Sequence, residues 1–532
     1  MSTSSVDNMI KVAKDLLRKG RLGEAEDISR RLGESTPGMA ASLLACEIEE
    51  SRSDFPKALE IAVAAVARHG PQPVLLLRQA QILMNLRRRS EAFAVADRAA
   101  ELAGPDARLL QSVAQIYNQN NRPRRALPLL YRALEHAPGD PTLLYLTVLS
   151  HFYLNEMKEA GVLLERVLLN APGSGYAAHV RSQLRTWTRD ENHIAELRVV
   201  LARPQLRDID AMLAHFALAK ELEDIGEYEA SFDALLQANR LKRRTLNYDV
   251  KNDVQAMQNV THHYSRAAMD AVAGGDPAPG PIFIVGMPRT GTTLVERILS
   301  SHTEVSSVGE AIDFPLEMAA MARAEHARSG STDTDLVRVS LSMDFAELGR
   351  NYRAAVRQLA EPRPYTIDKL PFNFRYCGLL HKAFPRATIL HLTRDPMDTC
   401  YAVFKTLFIN SYHFAYQLDE LAEYYVSYRR MMAHWHAVMP GVIVDVPYEL
   451  LVSDAEGQCR RLLSRCGLEW QDQVLEFHRS ERASNTASAA QVRQPIYRSS
   501  VQKWRNYARQ LQPVLRRLAE AGLVDEDGHP LQ

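Results

Sequence analysis

Between residues 6 and 175 apolar side chains recur every three or four positions, in runs such as VLLLRQAQILMNL and ALPLLYRALEHA, and each run is cut by a short polar turn. This spacing lines the apolar residues along one helix face and predicts helix after helix with no strand between them. The runs are also in register with one another. A small residue preceded by a polar turn returns at Ala25, Ala58, Ala92, Ala126 and Ala160, at spacings of 33, 34, 34 and 34. Pro37, Pro71, Pro105, Pro138 and Pro172 recur at nearly the same interval, where a helix has to stop. Two helices per unit follow, with the alanine at their closest approach, where a larger side chain would hold them apart. A further unit, LAKELEDIGEYEASFDALLQANRLKRR, sets Ala230 in the same role after an irregular stretch.

The pattern changes after AVAGGDPAPGP, residues 271–281, which cannot continue a helix and predicts a linker. Beyond it, short apolar runs are each followed by a turn and an amphipathic stretch: Ile282 to Val285 before LVERILSSH, then ATILHLTRDPMDTCYAVFKTLF, then VIVDVPYELLVSD. Such alternation predicts strands at 282–285, 388–393 and 442–446 in a three-layer α/β domain with a mainly parallel sheet. The expected division is therefore a helical-repeat domain over 1–245, a connecting helix and linker over 246–280, and an α/β domain over 281–532.

Composition narrows the function classes only a little. Lys+Arg and Asp+Glu are both 64, so net charge gives no reason to expect nucleic acid or an anionic membrane as partner. No stretch approaches the length of a membrane span, and the N-terminus has no continuous apolar segment, so a soluble cytoplasmic protein is expected. Five cysteines with no CxxC pair argue against a disulfide framework or a zinc site. The pairs His262-His263 and His434/His436 lack accompanying carboxylates or thiols in a recognisable pattern, so no metal is expected, and no GxSxG elbow marks a serine hydrolase.

The strongest chemical signal is the segment from Gly286 to Thr293. Strand, glycine loop and helix in that order aim backbone N–H groups and the positive helix end at one spot, which suits a phosphate or sulfate. Gly291 permits close backbone approach, and Thr292 and Thr293 add hydroxyls. The loop has the GxxxxG spacing of a triphosphate site, yet Thr292 stands where that motif has its lysine. A triphosphate with magnesium would be poorly held, so a shorter anionic chain is favoured.

With Arg289 supplying positive charge beside Thr290, the string PRTGTTLVERILSSH resembles the 5′-phosphosulfate loop of sulfotransferases, and the 34-residue units resemble tetratricopeptide repeats. The resemblance implies 3′-phosphoadenosine 5′-phosphosulfate as co-substrate and no metal. It assigns Arg394, at the end of the second strand, to the donor's 3′-phosphate, a contact that a guanidinium makes in bidentate fashion. Eight residues on, where the family has a serine for the same phosphate, this chain has Ala402. Tyr401, Lys405 and Thr406 are the neighbours able to replace it.

Glu310, in SSVGEAIDF, matches the catalytic base of protein-tyrosine sulfotransferases, with His302 held in reserve. Lys369, in YTIDKLPFNF, matches the lysine that stabilises the transferring group, and Asp368 is placed to orient it. Tyr448, Ser488 and Lys503 match a nucleotide-side tyrosine, an active-site serine and a donor-phosphate contact, and Arg493 and Arg498 add charge to the same late loop.

The expected activity is sulfuryl transfer to an acceptor hydroxyl, a peptide or protein tyrosine among the acceptors, with a protein partner on the repeats. Two alternatives stand beside it: an inactive P-loop domain in a repeat-based binding protein, and a nucleotide-dependent small-molecule kinase.

Overall fold

The computed structural model describes residues 3–35, 38–271, 274–329, 335–479, 496 and 500–531. Its contacts divide the chain into two compact units, Met1–Asn170 and Ala171–Gln532.

The first unit is helical throughout, running from Thr3–Arg18 and Leu22–Ser35 to Pro141–Leu154 and Met157–Asn170 as successive antiparallel-type pairs. Ala25, Ala58, Ala92, Ala126 and Ala160 are all completely buried, as their spacing predicts. A second periodic device lies in the backbone. Gly20, Ser53, Arg87, Asn121 and Asn155, each five residues before one of those alanines, have positive φ of 73, 62, 57, 56 and 68°. The following amide returns to a carbonyl five residues back, as in Asp54 N–H to Glu49 O and Arg122 N–H to Tyr117 O, both 2.9 Å. This left-handed closure satisfies the last carbonyls of the first helix and aims the chain into the second. Gly20, Asn121 and Asn155 are residues that enter this region readily, whereas at Ser53 and Arg87 packing of the units holds a conformation that the local sequence disfavours.

The same closure recurs at Gly226, with φ 83° and Glu227 N–H to Leu222 O at 2.9 Å. Five residues on is Ser231, not Ala230. Ser231 is 1% exposed and its hydroxyl donates to Ala219 O at 2.7 Å, whereas Ala230 is only partly buried. The small-residue role therefore belongs to Ser231.

In the second unit, helices Asp208–Asp224 and Tyr228–Arg244 share one hydrophobic cluster with the α/β elements. Phe232 stacks on Phe404, Asn239 donates to Phe404 O at 3.0 Å, and Arg243 pairs with Glu420 at 2.8 Å. These helices consequently fall with the α/β half, and the division by contacts lies at 170/171, earlier than position 245.

The sheet has five strands, β1 Pro281–Gly286, β2 Val305–Ser307, β3 Tyr365–Asp368, β4 Thr388–Thr393 and β5 Ile443–Pro447, in the order β2-β3-β1-β4-β5. Every pairing is parallel, with Ile282 opposite Ile367 on one side and Thr388 on the other. Alternate residues of β1 serve opposite layers: Ile282 and Ile284 enter one core, Phe283 and Val285 the other. The chain order reverses around β1, so the crevice beyond its C-terminal end is the expected place for a ligand in such a sheet. No described helix is long and apolar enough to cross a membrane.

Candidate active site

β1 ends at Gly286 and the helix Thr292–Ser300 begins six residues later. Arg289 and Gly291, on either side of Thr290, both have positive φ, 68° and 100°. At Gly291 this matters twice, since a Cβ there would also lie 2.7 Å from Cδ2 of Tyr448. The loop is braced from within by the Thr290 hydroxyl, which donates to Met287 O at 2.8 Å. Thr292 and Thr293 occupy the first helical positions, whose amides have no intrahelical carbonyl to bond.

Arg394 ties this loop to two other segments. Its Nη1 donates to Arg289 O at 2.9 Å and its Nη2 to Ser500 O at 2.6 Å, and its guanidinium lies 5.0 Å from the Tyr448 ring centre. Tyr448 in turn shares a hydrogen bond with the Ser500 hydroxyl at 2.7 Å. The Arg394 Nε is buried with no hydrogen-bond partner among the described residues, a donor that an anion would satisfy. Asp395 does not pair with Arg394: it caps the helix Pro396–Phe404 by accepting from Asp398 N–H at 2.8 Å.

A second cluster forms where β2 and β3 end. Lys369 is completely buried, and its ammonium lies 2.5 Å from Glu310 and 3.7 Å from Glu296 of the loop helix. Burial pulls the lysine's pKa down, and the two carboxylates outweigh it, holding the group charged above its ordinary value. Glu310 keeps 41% of its side chain exposed, so this carboxylate opens to solvent while its partner does not. Glu296 is fixed by the Ser307 hydroxyl at 2.6 Å. Asp368 does not orient Lys369. Successive strand residues face opposite ways, and Asp368 turns to accept from Tyr352 OH at 2.7 Å, where burial raises its pKa to about 7. His302 is fully buried, with Nε2 at 3.0 Å from Glu469 O and Nδ1 accepting from Glu304 N–H. Both its nitrogens are engaged in a packed cap.

Lys503 lies beside the site on a segment docked through Asp398, which accepts from Trp504 N–H at 3.0 Å, and it pairs with Glu223. Ser488, Arg493 and Arg498 lie outside the described residues. Arg289, Thr290, Gly291, Thr292, Thr293, Arg394 and Tyr448 thus form one group, and Glu310 and Lys369 a second, joined to it through Glu296 on the loop helix.

Sequence reasoning missed Glu296, Glu223 and a third cluster. His391 on β4, Asp445 opposite it on β5 and His436 bring ligand-type atoms within 4.8 Å of one another. His436 therefore does have an accompanying carboxylate, brought to it by the parallel pairing of β4 and β5. His391 Nδ1 meets Asp445 at 2.6 Å and its Nε2 meets Tyr428 OH at 2.5 Å, so hydrogen bonds engage both ring nitrogens.

A sequence model of the sulfotransferase family matches residues 281–472. An uncharacterised protein of Aquifex aeolicus is 33% identical over 352 residues, 65% of this chain and 46% of that one, so the chain spans about half of that relative's length. A putative protein-tyrosine sulfotransferase of Caenorhabditis briggsae is 22% identical over 42% of this chain and 80% of its own. Among solved structures, the sulfotransferase domain of the Synechococcus PCC 7002 olefin synthase aligns with a TM-score of 0.32 and 19% identity, covering 44% of this chain and 89% of that one. Residues 281–472, which hold Arg289, Glu310, Lys369 and Arg394, are thus the part of the chain that is similar to the sulfotransferase family.

Proposed function

We propose that the chain moves a sulfuryl group from 3′-phosphoadenosine 5′-phosphosulfate to an acceptor hydroxyl, a peptide tyrosine being the favoured acceptor. The observation that carries this is the fully buried Lys369 ammonium against the half-open Glu310 carboxylate, one loop helix away from an anion-suited glycine turn. Glu310 takes the acceptor's proton as the acceptor oxygen attacks sulfur. The bond from sulfur to the bridging oxygen breaks, and the electron pair leaves with adenosine 3′,5′-bisphosphate. Lys369, with three N–H groups, faces the charge growing on the bridging oxygen while still touching Glu310. The amides that open the helix Thr292–Ser300, with Arg289, hold the 5′ side, and Arg394, with its unmatched Nε, the 3′ side. Ser488 is assigned to the same late segment as Lys503 by resemblance. Acceptance of a tyrosine is supported by the names of the matched relatives and by the Glu310 match.

Calorimetry with adenosine 3′,5′-bisphosphate in the absence of magnesium tests the donor site. Binding by the wild type that is lost in Arg289→Ala is the expected result, and binding of ATP with magnesium in its place would overturn it in favour of a kinase. Sulfation of a tyrosine peptide pool, read by mass spectrometry, then tests the acceptor.

A further inference from the structure

Glu223 lies outside the segment that matches the family, as do two of its partners, Lys503 and Tyr507. Glu223 is near the end of helix Asp208–Asp224, with 10% of its side chain exposed. Its carboxylate receives Lys405 Nζ at 2.8 and 3.2 Å, Lys503 Nζ, Tyr401 OH, and Tyr507 OH at 3.2 Å. The two tyrosine rings stack at 4.4 Å and fix the group from below. A carboxylate with four donors is saturated, so it serves as an anchor for what surrounds it.

The two lysines are not saturated. Each ammonium has three N–H groups, and Lys405 and Lys503 keep 24% and 32% of their side chains exposed. One carboxylate against two ammonium groups leaves a positive charge uncompensated, at a site whose field reaches Arg289 of the glycine loop. Lys405 closes the helix Pro396–Phe404 that starts beside Arg394, and Ala402 lies one helical turn before it on the same face. Lys503 sits three residues after Ser500, which Arg394 grips. Two cations are thus brought to the place where Ala402 leaves a hydroxyl missing.

We propose that Glu223 is a positioning residue for donor specificity: it holds Lys405 and Lys503 as a fixed cation pair that reads the nucleotide's 3′-phosphate in place of a hydroxyl at position 402. This rests on the donor assigned above. With Glu223 neutral, two neighbouring ammonium groups repel and splay, and the 3′-phosphate loses its placed partners. The 5′ side, held by the loop amides, is untouched.

The test compares adenosine 3′,5′-bisphosphate with adenosine 5′-phosphate by calorimetry, on the full chain at pH 7. The wild type is expected to prefer the bisphosphate. Glu223→Gln is expected to weaken the bisphosphate about tenfold, as loss of a placed charge-assisted contact does, while leaving 5′-phosphate affinity within about twofold. Glu223→Asp should recover part of the preference, and Lys405→Met, which leaves the anchor in place, should lose as much of it as Glu223→Gln. An unchanged ratio in Glu223→Gln and Lys405→Met, with wild-type binding intact, would overturn the positioning role alone. Failure of the wild type to bind either nucleotide would remove the donor assignment and this proposal with it. Should Glu223→Gln not fold, Lys405→Met still decides by the same ratio.

Discussion

The repeat helices and the α/β half both depend on their smallest residues, but for different reasons. In the helical array, alanine is small so that two helices can touch, and Ala25 through Ala160 are completely buried at that contact. In the glycine loop, Gly291 is small so that the backbone can curl at φ 100° against the face of Tyr448. The first half uses its small residues to bring helices together, and the second to let a backbone turn tightly against a ring. Charge divides the halves in the same way. Lys369, Asp368, Arg394 and Glu223 are all buried or nearly so in the second unit, where desolvation makes every pairing consequential. The exposed ion pairs of the repeats, such as Arg21–Glu24, contribute little.

The largest effect is expected from the chemistry. Glu310→Gln removes the base and leaves the anion site intact, so the transfer rate should fall by about a thousandfold, within the usual range for a general base, while bisphosphate affinity stays within a factor of about two. A fall in affinity equal to the fall in rate would make Glu310 part of the binding site instead.

Next, the two kinds of small residue can be set against each other. Ala126→Leu overfills a helix contact and should cost about 1–3 kcal/mol, seen as faster amide exchange in the helix Pro123–His136. Gly291→Ala puts a side chain on a left-handed residue and into a ring. It should cost about 1–2 kcal/mol in backbone terms and, unlike a packing defect, abolish bisphosphate binding in calorimetry. Retained binding in Gly291→Ala would show that the two kinds of small residue serve packing alike.

The smallest effect is with pH. Burial brings the Lys405 pKa down to about 8 from its ordinary 10.5, with Glu223 pulling upward and Lys503 and Arg289 pushing further down. A phosphate prefers the ammonium, so bisphosphate affinity should fall severalfold as pH rises from about 7 to about 9. Stability has the opposite slope. The unfolded chain holds this proton up to higher pH, so between about 8 and 10.5 the lysine makes the fold more stable as pH rises. Titrating both quantities, with Lys405→Met as control, separates the binding role from the structural one.

Much of this was readable from the chain. The period of 34 found the helix pairs, and the apolar runs found β1, β4 and β5, because each is long enough for its pattern to stand out. The three-residue β2 and four-residue β3 are too short to carry a pattern, so Lys369 read as a loop residue, although it follows directly on a strand. A neighbour in sequence misled once: Asp368, beside Lys369, turns instead to Tyr352. Ala402 signalled a missing contact, and Lys405 was in view as its replacement. Glu223 was not, because nothing local marks a carboxylate on a distant helix as the shared partner of Lys405 and Lys503. The left-handed turns at Ser53, Arg87, Asn121 and Asn155 were hidden for the reverse reason, since residues of three kinds, Ser, Arg and Asn, adopt one conformation.

The order of the strands bears on how the chain comes off the ribosome. β1 is the central strand, yet it is made before any of its neighbours, and its backbone stays unpaired until Ile367 and Thr388 have been synthesised. Each helix pair of the array, by contrast, finds its partner as soon as it is made. Nascent chains stalled shortly after Gly286 should therefore carry folded repeats and a bare, highly apolar strand, which makes this stretch the point of greatest need for a chaperone.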